Sequence, residues 1–161
     1  FITGMAKKFP ERNYIAVEGA GTVVLRALEK AGGEELENVR FITDYINEMG
    51  DFFEQGEVRG IFLNFSDPWP KSGYHKRRLT YRAFLEQYRL LLKDGGVLRF
   101  KTDNEGLFDF SIEEFKEFGL PTDLEDELTD RWLEQKKNVI GYFITISAIF
   151  VLGIYYSRFV P

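Results

Sequence analysis

Gly60-Ile61-Phe62-Leu63-Asn64-Phe65-Ser66-Asp67 is a short apolar run that closes on an acid. The run is nearly continuous rather than alternating, the pattern of a strand covered on both faces. Three other stretches share the form. Tyr14-Ile15-Ala16-Val17 ends at Glu18, Val39 to Thr43 ends at Asp44, and Val97 to Thr102 ends at Asp103. The segments between them read as helices or turns. Ile2 to Lys8 is a short helix stopped by Pro10. Gly19-Ala20-Gly21 is a flexible turn. After it, Thr22 is placed to cap a helix with Val24, Leu25 and Leu28 on its apolar face, ending at Gly32-Gly33. A helix is expected around Tyr45 to Phe53. Another over Thr80 to Leu92 directs Phe84, Tyr88, Leu91 and Leu92 inward, and Lys93-Asp94-Gly95-Gly96 turns the chain after it. Asn104 should cap the run from Leu107 to Phe118.

Strands alternating with helices predict an α/β fold, a doubly wound, mostly parallel sheet with helices on both faces. At 161 residues the chain reads as a single domain. Ligands of such sheets sit at the carboxyl ends of the strands. One acid after a strand usually caps a helix; Glu18, Asp44, Asp67 and Asp103 at successive strand ends point to a polar crevice.

Cysteine is absent, which excludes disulfides, thiolate metal sites and cysteine nucleophiles. It also fits a cytoplasmic protein. His75 is the lone histidine, so no multi-histidine metal site exists, and no metal is expected. The net charge of −5 does not suggest a nucleic-acid binder, but its distribution does. From Trp69 to Arg82 the ionised residues are Lys71, Lys76, Arg77, Arg78 and Arg82, with no Asp or Glu. From Ser111 to Glu134 nine acids face only Lys116 and Arg131. A local basic patch on an acidic body can steer a polyanion.

Val139 to Ser157 carries no charge and is long enough to span a membrane. Gly141, Thr145, Ser147 and Gly153 interrupt it, and its residues favour strands. Two antiparallel strands turning near Ser147-Ala148 are therefore expected in preference to a membrane segment.

Asn64-Phe65-Ser66-Asp67-Pro68-Trp69-Pro70-Lys71 places an acid, an aromatic and a base at the carboxyl end of a buried strand. Pro68 and Pro70 restrict the backbone there. Together with Lys76-Arg77-Arg78-Leu79-Thr80 and Phe100-Lys101-Thr102-Asp103-Asn104, this segment resembles the signature of the tRNA (guanine-N7)-methyltransferases. Gly4-Met5-Ala6-Lys7, Asn13-Tyr14-Ile15, Asn38-Val39-Arg40-Phe41 and Gly56-Glu57-Val58-Arg59 agree with it. The resemblance covers residues 1–118.

The resemblance implies a class I methyltransferase fold, S-adenosylmethionine as cofactor and tRNA as partner. Glu18 would take the cofactor's ribose hydroxyls, Asp44 would lie near the adenine, and Asp67 would be the active-site acid bordering the cofactor. Lys71 and Asp103 would contact substrate. Lys76, Arg77 and Arg78 would bind RNA. Trp69 could stack on a base or pack over the sheet edge.

Several features depart from the family. Its Gly-rich loop and first strand should lie before Phe1, which itself reads as the middle of a helix. Gly73-Tyr74 stands in place of an Arg-His pair, with His75 beside it as a solvated loop residue. The family's Thr-x-x-Glu segment is replaced after Asn138-Val139-Ile140 by Gly141-Tyr142-Phe143-Ile144. The alternative reading is a non-catalytic RNA-binding module that kept the scaffold and lost the cofactor.

Overall fold

The computed structural model describes residues 1–45 and 47–120, together with the backbone of residues 142–151. The order is α1 (Ile2–Lys8), β1 (Tyr14–Val17), α2 (Gly21–Gly33), β2 (Val39–Ile42), β3 (Val58–Asn64), α3 (Arg82–Leu91), β4 (Leu92–Thr102), α4 (Glu105–Glu117) and β5 (Tyr142–Val151). Short 3-10 turns cover Met49–Asp51 and Ser72–Arg77. The fold is mixed α/β, and each of its two strand-helix-strand pairings is parallel.

The strands do not form one sheet. β1 pairs with β2, and β3, β4 and β5 form a second sheet with β4 in the middle. The two halves meet through side chains. The Phe1 ring sits edge-on to Phe62 of β3 at 4.9 Å, and Ile15 of β1 packs on the larger core.

That core lies around β3 and β4. Middle strand β4 buries Val97 and Leu98 side by side, then Phe100 and Thr102, because both its faces are covered. α3 presents Leu85, Tyr88 and Leu91 at three-residue spacing. α4 presents Leu107, Ser111, Glu114 and Phe115, and Phe115 meets Phe100 edge-to-face at 6.3 Å. A smaller core joins Ala6, Tyr14, Ala31 and Val39. Asn38 links the same parts, since its side-chain amide donates to the carbonyls of Ala6 and Arg12 at 3.0 and 2.7 Å.

Several expectations need correction. α3 adds Leu85 to the inward face, and Phe84 is half-buried against the same core. α2 buries Val24 and Ala31, while Leu25 and Leu28 stay exposed at 56% and 48%. Its start is Gly21 with Ala20 as the capping position, and Thr22 makes no cap bond. The expected helix over Tyr45 to Phe53 is reduced to the turn at Met49–Asp51. The Gln87 side chain takes the Met49 N–H at 2.8 Å and the Asn47 carbonyl at 2.9 Å, groups a helix would use internally.

The Lys93–Gly96 turn lies inside β4, not before it. Val58 faces Leu92 and Gly60 faces Val97, so the intervening residues bulge out of the ladder. Gly95 has φ +72°, and a Cβ on Gly96 would come within 2.8 Å of the Lys93 carbonyl oxygen. Residues Tyr142–Val151 lie antiparallel to β4, and the register jumps from Ile146 opposite Leu98 to Val151 opposite Val97, so residues 147–150, where the turn was expected, leave the ladder. The remainder of the expected hairpin, the Asn138–Gly141 departure and the acid-rich stretch beyond Leu120 lie outside the described residues. Among the described residues no helix is long and apolar enough to cross a membrane.

Candidate active site

The parallel ladders set the predicted acids side by side in pairs. Val17 is in register with Ile42, and the Glu18 N–H donates to the Ile42 carbonyl at 3.1 Å. Glu18 and Asp44 therefore leave adjacent strand ends. In the second sheet the last ladder bond runs from the Phe65 N–H to the Lys101 carbonyl at 2.8 Å. Asp67 and Asp103 each follow two residues later.

Glu18 is exposed, and its Oε1 accepts the Ala20 N–H at 2.9 Å, which tightens the turn into α2. Asp44 Oδ1 accepts the Tyr45 N–H at 2.7 Å. Tyr45 itself is 72% exposed, and its ring lies against Gly19 so closely that a Cβ there would overlap it. An aromatic face thus stands between the two acidic turns. Sequence reading missed Tyr45, because a tyrosine after a strand carries no signal until the Glu18 turn is placed beside it.

Asp67 sits in a loop of unusual backbone. Phe65 and Trp69 have φ of +51° and +41°, values that bulky L-residues rarely adopt and that cost about 1–3 kcal/mol each. Neighbouring contacts hold them. Lys101 Nζ lies 4.8 Å from the Phe65 ring centroid. The Trp69 ring meets Tyr74 edge-on at 6.0 Å, and the Arg77 guanidinium lies 5.0 Å from one ring and 4.9 Å from the other. Ser66 Oγ is buried with no hydrogen-bond partner among the described residues. The Asp67 carboxylate is exposed and, among the described residues, has neither a hydrogen-bond nor an ion-pair partner. Asp103 is exposed as well. Beside it the Asn104 N–H is held by Thr102 Oγ1 at 3.1 Å and Asn104 Oδ1 caps α4 through the Leu107 N–H at 2.8 Å.

Lys71 precedes the 3-10 turn and is exposed, as are Lys76 and Arg77 within it. Arg78 differs. Its Nε donates to the Pro68 carbonyl at 2.9 Å, a terminal nitrogen donates to the Trp69 carbonyl at 3.1 Å, and the guanidinium lies 4.3 Å from the Phe110 ring centroid. His75 is half-buried and holds its turn, with Nδ1 2.6 Å from the Ser72 carbonyl and its ring edge-on to Tyr81 at 5.4 Å.

An open cleft of about 340 Å³ lies elsewhere, between α3 and α4, lined by Arg82, Glu86, Glu114, Glu117 and Phe118. None of the four strand-end acids lines it. Arg82 bonds Glu114 at 3.0 Å and Glu117 at 2.6 Å, so this basic residue of the patch is engaged with acids. Those two hydrogen bonds hold its guanidinium above its ordinary pKa. Among the described residues no group of three or more His, Asp or Glu side chains is arranged to hold a metal ion.

Curated relatives include the tRNA (guanine-N(7)-)-methyltransferase of Halalkalibacterium halodurans, 47% identical over 120 residues that cover 74% of this chain and 54% of that protein. The protein of the same name from Bacillus subtilis is 47% identical over 74% of this chain and 56% of its own length. That of Lacticaseibacillus casei is 46% identical over 77% and 58%. The chain spans about half the length of the curated relatives it matches. A family model described as "Putative methyltransferase" matches residues 1–144. With most of its length matched to that model, the chain belongs to this methyltransferase family.

Proposed function

We propose that the full protein transfers a methyl group from S-adenosylmethionine to N7 of a guanine in tRNA. The observation that carries the reading is the placement of Asp67: an exposed carboxylate, unpartnered among the described residues, on a loop bonded to Arg78, beside Asp103 at the next strand end and followed by the basic Lys71 to Arg78 segment. The relatives' names support the same reaction.

The residues present suit the cofactor's nucleoside end. A carboxylate accepts two hydroxyl hydrogen bonds, so Glu18 would hold the ribose. Asp44 and the exposed face of Tyr45 would flank the adenine. Two parallel-paired sheets also suit the halves of one doubly wound sheet, which a further strand seated between β1 and β3 would join into a single domain. The cofactor, when bound, supplies an electrophilic methyl on a cationic sulfonium.

Guanine N7 carries a lone pair and no proton, so no general base is needed. Asp67 and Asp103 would instead hold the donor edge of the purine and favour the positive charge that develops on it. Lys71 would orient the nucleotide, and Lys76 and Arg77 would bind phosphates. Alignment of the reacting atoms would supply most of the remaining acceleration.

The test is methyl transfer to unmodified tRNA by the full-length protein, with the product nucleoside identified as N7-methylguanosine. Asp67→Ala should keep the fold, judged by circular dichroism, and lose turnover by roughly a hundredfold or more. Full activity in that variant would remove Asp67 from the role, and methylation at another atom would overturn the reaction.

A further inference from the structure

We infer that Arg78 is a positioning residue that clamps the Asp67 loop, and that it contacts no phosphate of the RNA. This rests on the methyltransferase reading above. Arg78 lies in the basic run Lys76-Arg77-Arg78, where charge alone assigns all three residues to one task. The geometry separates them. Two arms of the Arg78 guanidinium donate to consecutive carbonyls, those of Pro68 and Trp69, at 2.9 and 3.1 Å. Its guanidinium carbon lies over the Phe110 ring of α4, 4.3 Å from the centroid. A half-buried guanidinium that commits Nε and a terminal nitrogen to two carbonyls and lies against a ring cannot swing out to a solvent-borne phosphate without breaking those bonds.

What the clamp holds is the part of the loop that most needs holding. Trp69 is in the left-handed region at φ +41°, and Asp67 is two residues upstream. Without an external constraint the chain would relax toward ordinary backbone angles and carry the carboxylate with it. The anchor is also well placed. Phe110 belongs to α4, the helix that Asn104 caps directly after Asp103. Two residues beyond Arg78, Thr80 is bonded to Ser111 of the same helix at 2.7 Å. Arg78 therefore fixes the Asp67 loop relative to the turn that carries Asp103. Lys76 and Arg77 keep exposed side chains, Arg77 over the Trp69 and Tyr74 rings with no carbonyl forked beneath it among the described residues, and their N–H groups remain for the RNA.

The experiment uses the full-length protein with every tryptophan except Trp69 replaced by phenylalanine, Trp132 among them, so that Trp69 reports alone. Arg78→Ala should red-shift Trp69 emission and lower kcat roughly a hundredfold while KM for tRNA stays within about threefold, the signature of a misplaced reacting group. The dependence of tRNA affinity on salt should be unchanged. In Lys76→Ala, by contrast, the salt slope should fall by about 1 and KM for tRNA should rise. Arg78→Lys keeps the charge but not the fork, so it should show the same shift and loss in smaller measure; it carries the test if Arg78→Ala fails to fold. A salt slope reduced by about 1 in either Arg78 variant, or unshifted Trp69 emission, overturns the inference. If the unsubstituted protein transfers no methyl group at all, the methyltransferase reading falls instead, and Trp69 emission still decides whether Arg78 holds the loop.

Discussion

The hydroxyls of Thr80 and Ser111 meet at 2.7 Å, and both residues are fully buried. Ser111 Oγ also donates to the Leu107 carbonyl at 2.6 Å. A hydroxyl has one proton, so Ser111 must accept from Thr80, and the direction of the chain is fixed as Thr80 to Ser111 to Leu107. The two ends of this relay are unequal. Ser111→Ala strands the buried Thr80 proton and should cost about 1–3 kcal/mol, whereas Thr80→Val removes only one donor and should cost about 1 kcal/mol. Urea denaturation of both variants and the double variant measures this. The double variant should lose less than the sum, and strict additivity would argue against a shared bond.

Asn104 closes the start of α4 through its bond to the Leu107 N–H. Asn104→Ala should destabilise the protein by about 1 kcal/mol, and Asn104→Asp should be close to neutral, because aspartate caps as well. Since Asp103 precedes the cap, the alanine variant should also weaken substrate binding. Thermal melts and tRNA titrations compare the two variants; equal stability of alanine and asparagine would show the cap to be dispensable.

Tyr88 is buried, and its hydroxyl has no partner among the described residues. Burial pushes its phenol above the ordinary 10.0, because the phenolate would lose its hydration. In the unfolded chain the same phenol deprotonates near pH 10. Above that pH the unfolded state holds fewer protons than the native state, so stability falls as pH rises. Tyr88→Phe should match or exceed the parent by about 1 kcal/mol at neutral pH. Its advantage should widen above about pH 10, in denaturation curves taken from pH 8 to 11. A variant less stable than its parent would mean that the hydroxyl is satisfied.

Glu18 has two separable tasks. One oxygen tightens the turn at Ala20, a bond that an amide oxygen can also accept. Glu18→Gln should therefore leave the melting temperature nearly unchanged. It should weaken S-adenosylmethionine binding by about tenfold, because a neutral amide makes poorer hydrogen bonds to ribose hydroxyls than a carboxylate. Calorimetry on the full-length protein reads both quantities. Unaltered affinity would place the ribose elsewhere.

Local pattern was enough to find β3, β4 and the strand ends. Apolar runs of β-favouring residues closing on Glu18, Asp44, Asp67 and Asp103 carry their meaning within a few neighbours, and the Asn104 cap is equally local. The helix faces were less legible. Phe84 and Leu85 both pack on the core, and only the position of β4 decides that Leu85 is the one fully buried. The region after Asp44 misled for a similar reason, since the groups that stop a helix there belong to Gln87, 38 residues away from Met49 in the chain.

The sequence by itself determined the α/β class, the acids at the strand ends and the motif that ties the chain to its family, because these depend on residue type and short spacing. The division of the basic run into a clamp at Arg78 and exposed cations at Lys76 and Arg77 was decided only in three dimensions, as were the left-handed Trp69 and the Tyr45 ring against Gly19. The physical reason is that a guanidinium's partner, a strained backbone angle and a ring's neighbour are set by groups brought near through folding. Nothing in the order of residues 76 to 78 distinguishes one cation from the next until Phe110 and two carbonyls are placed around one of them.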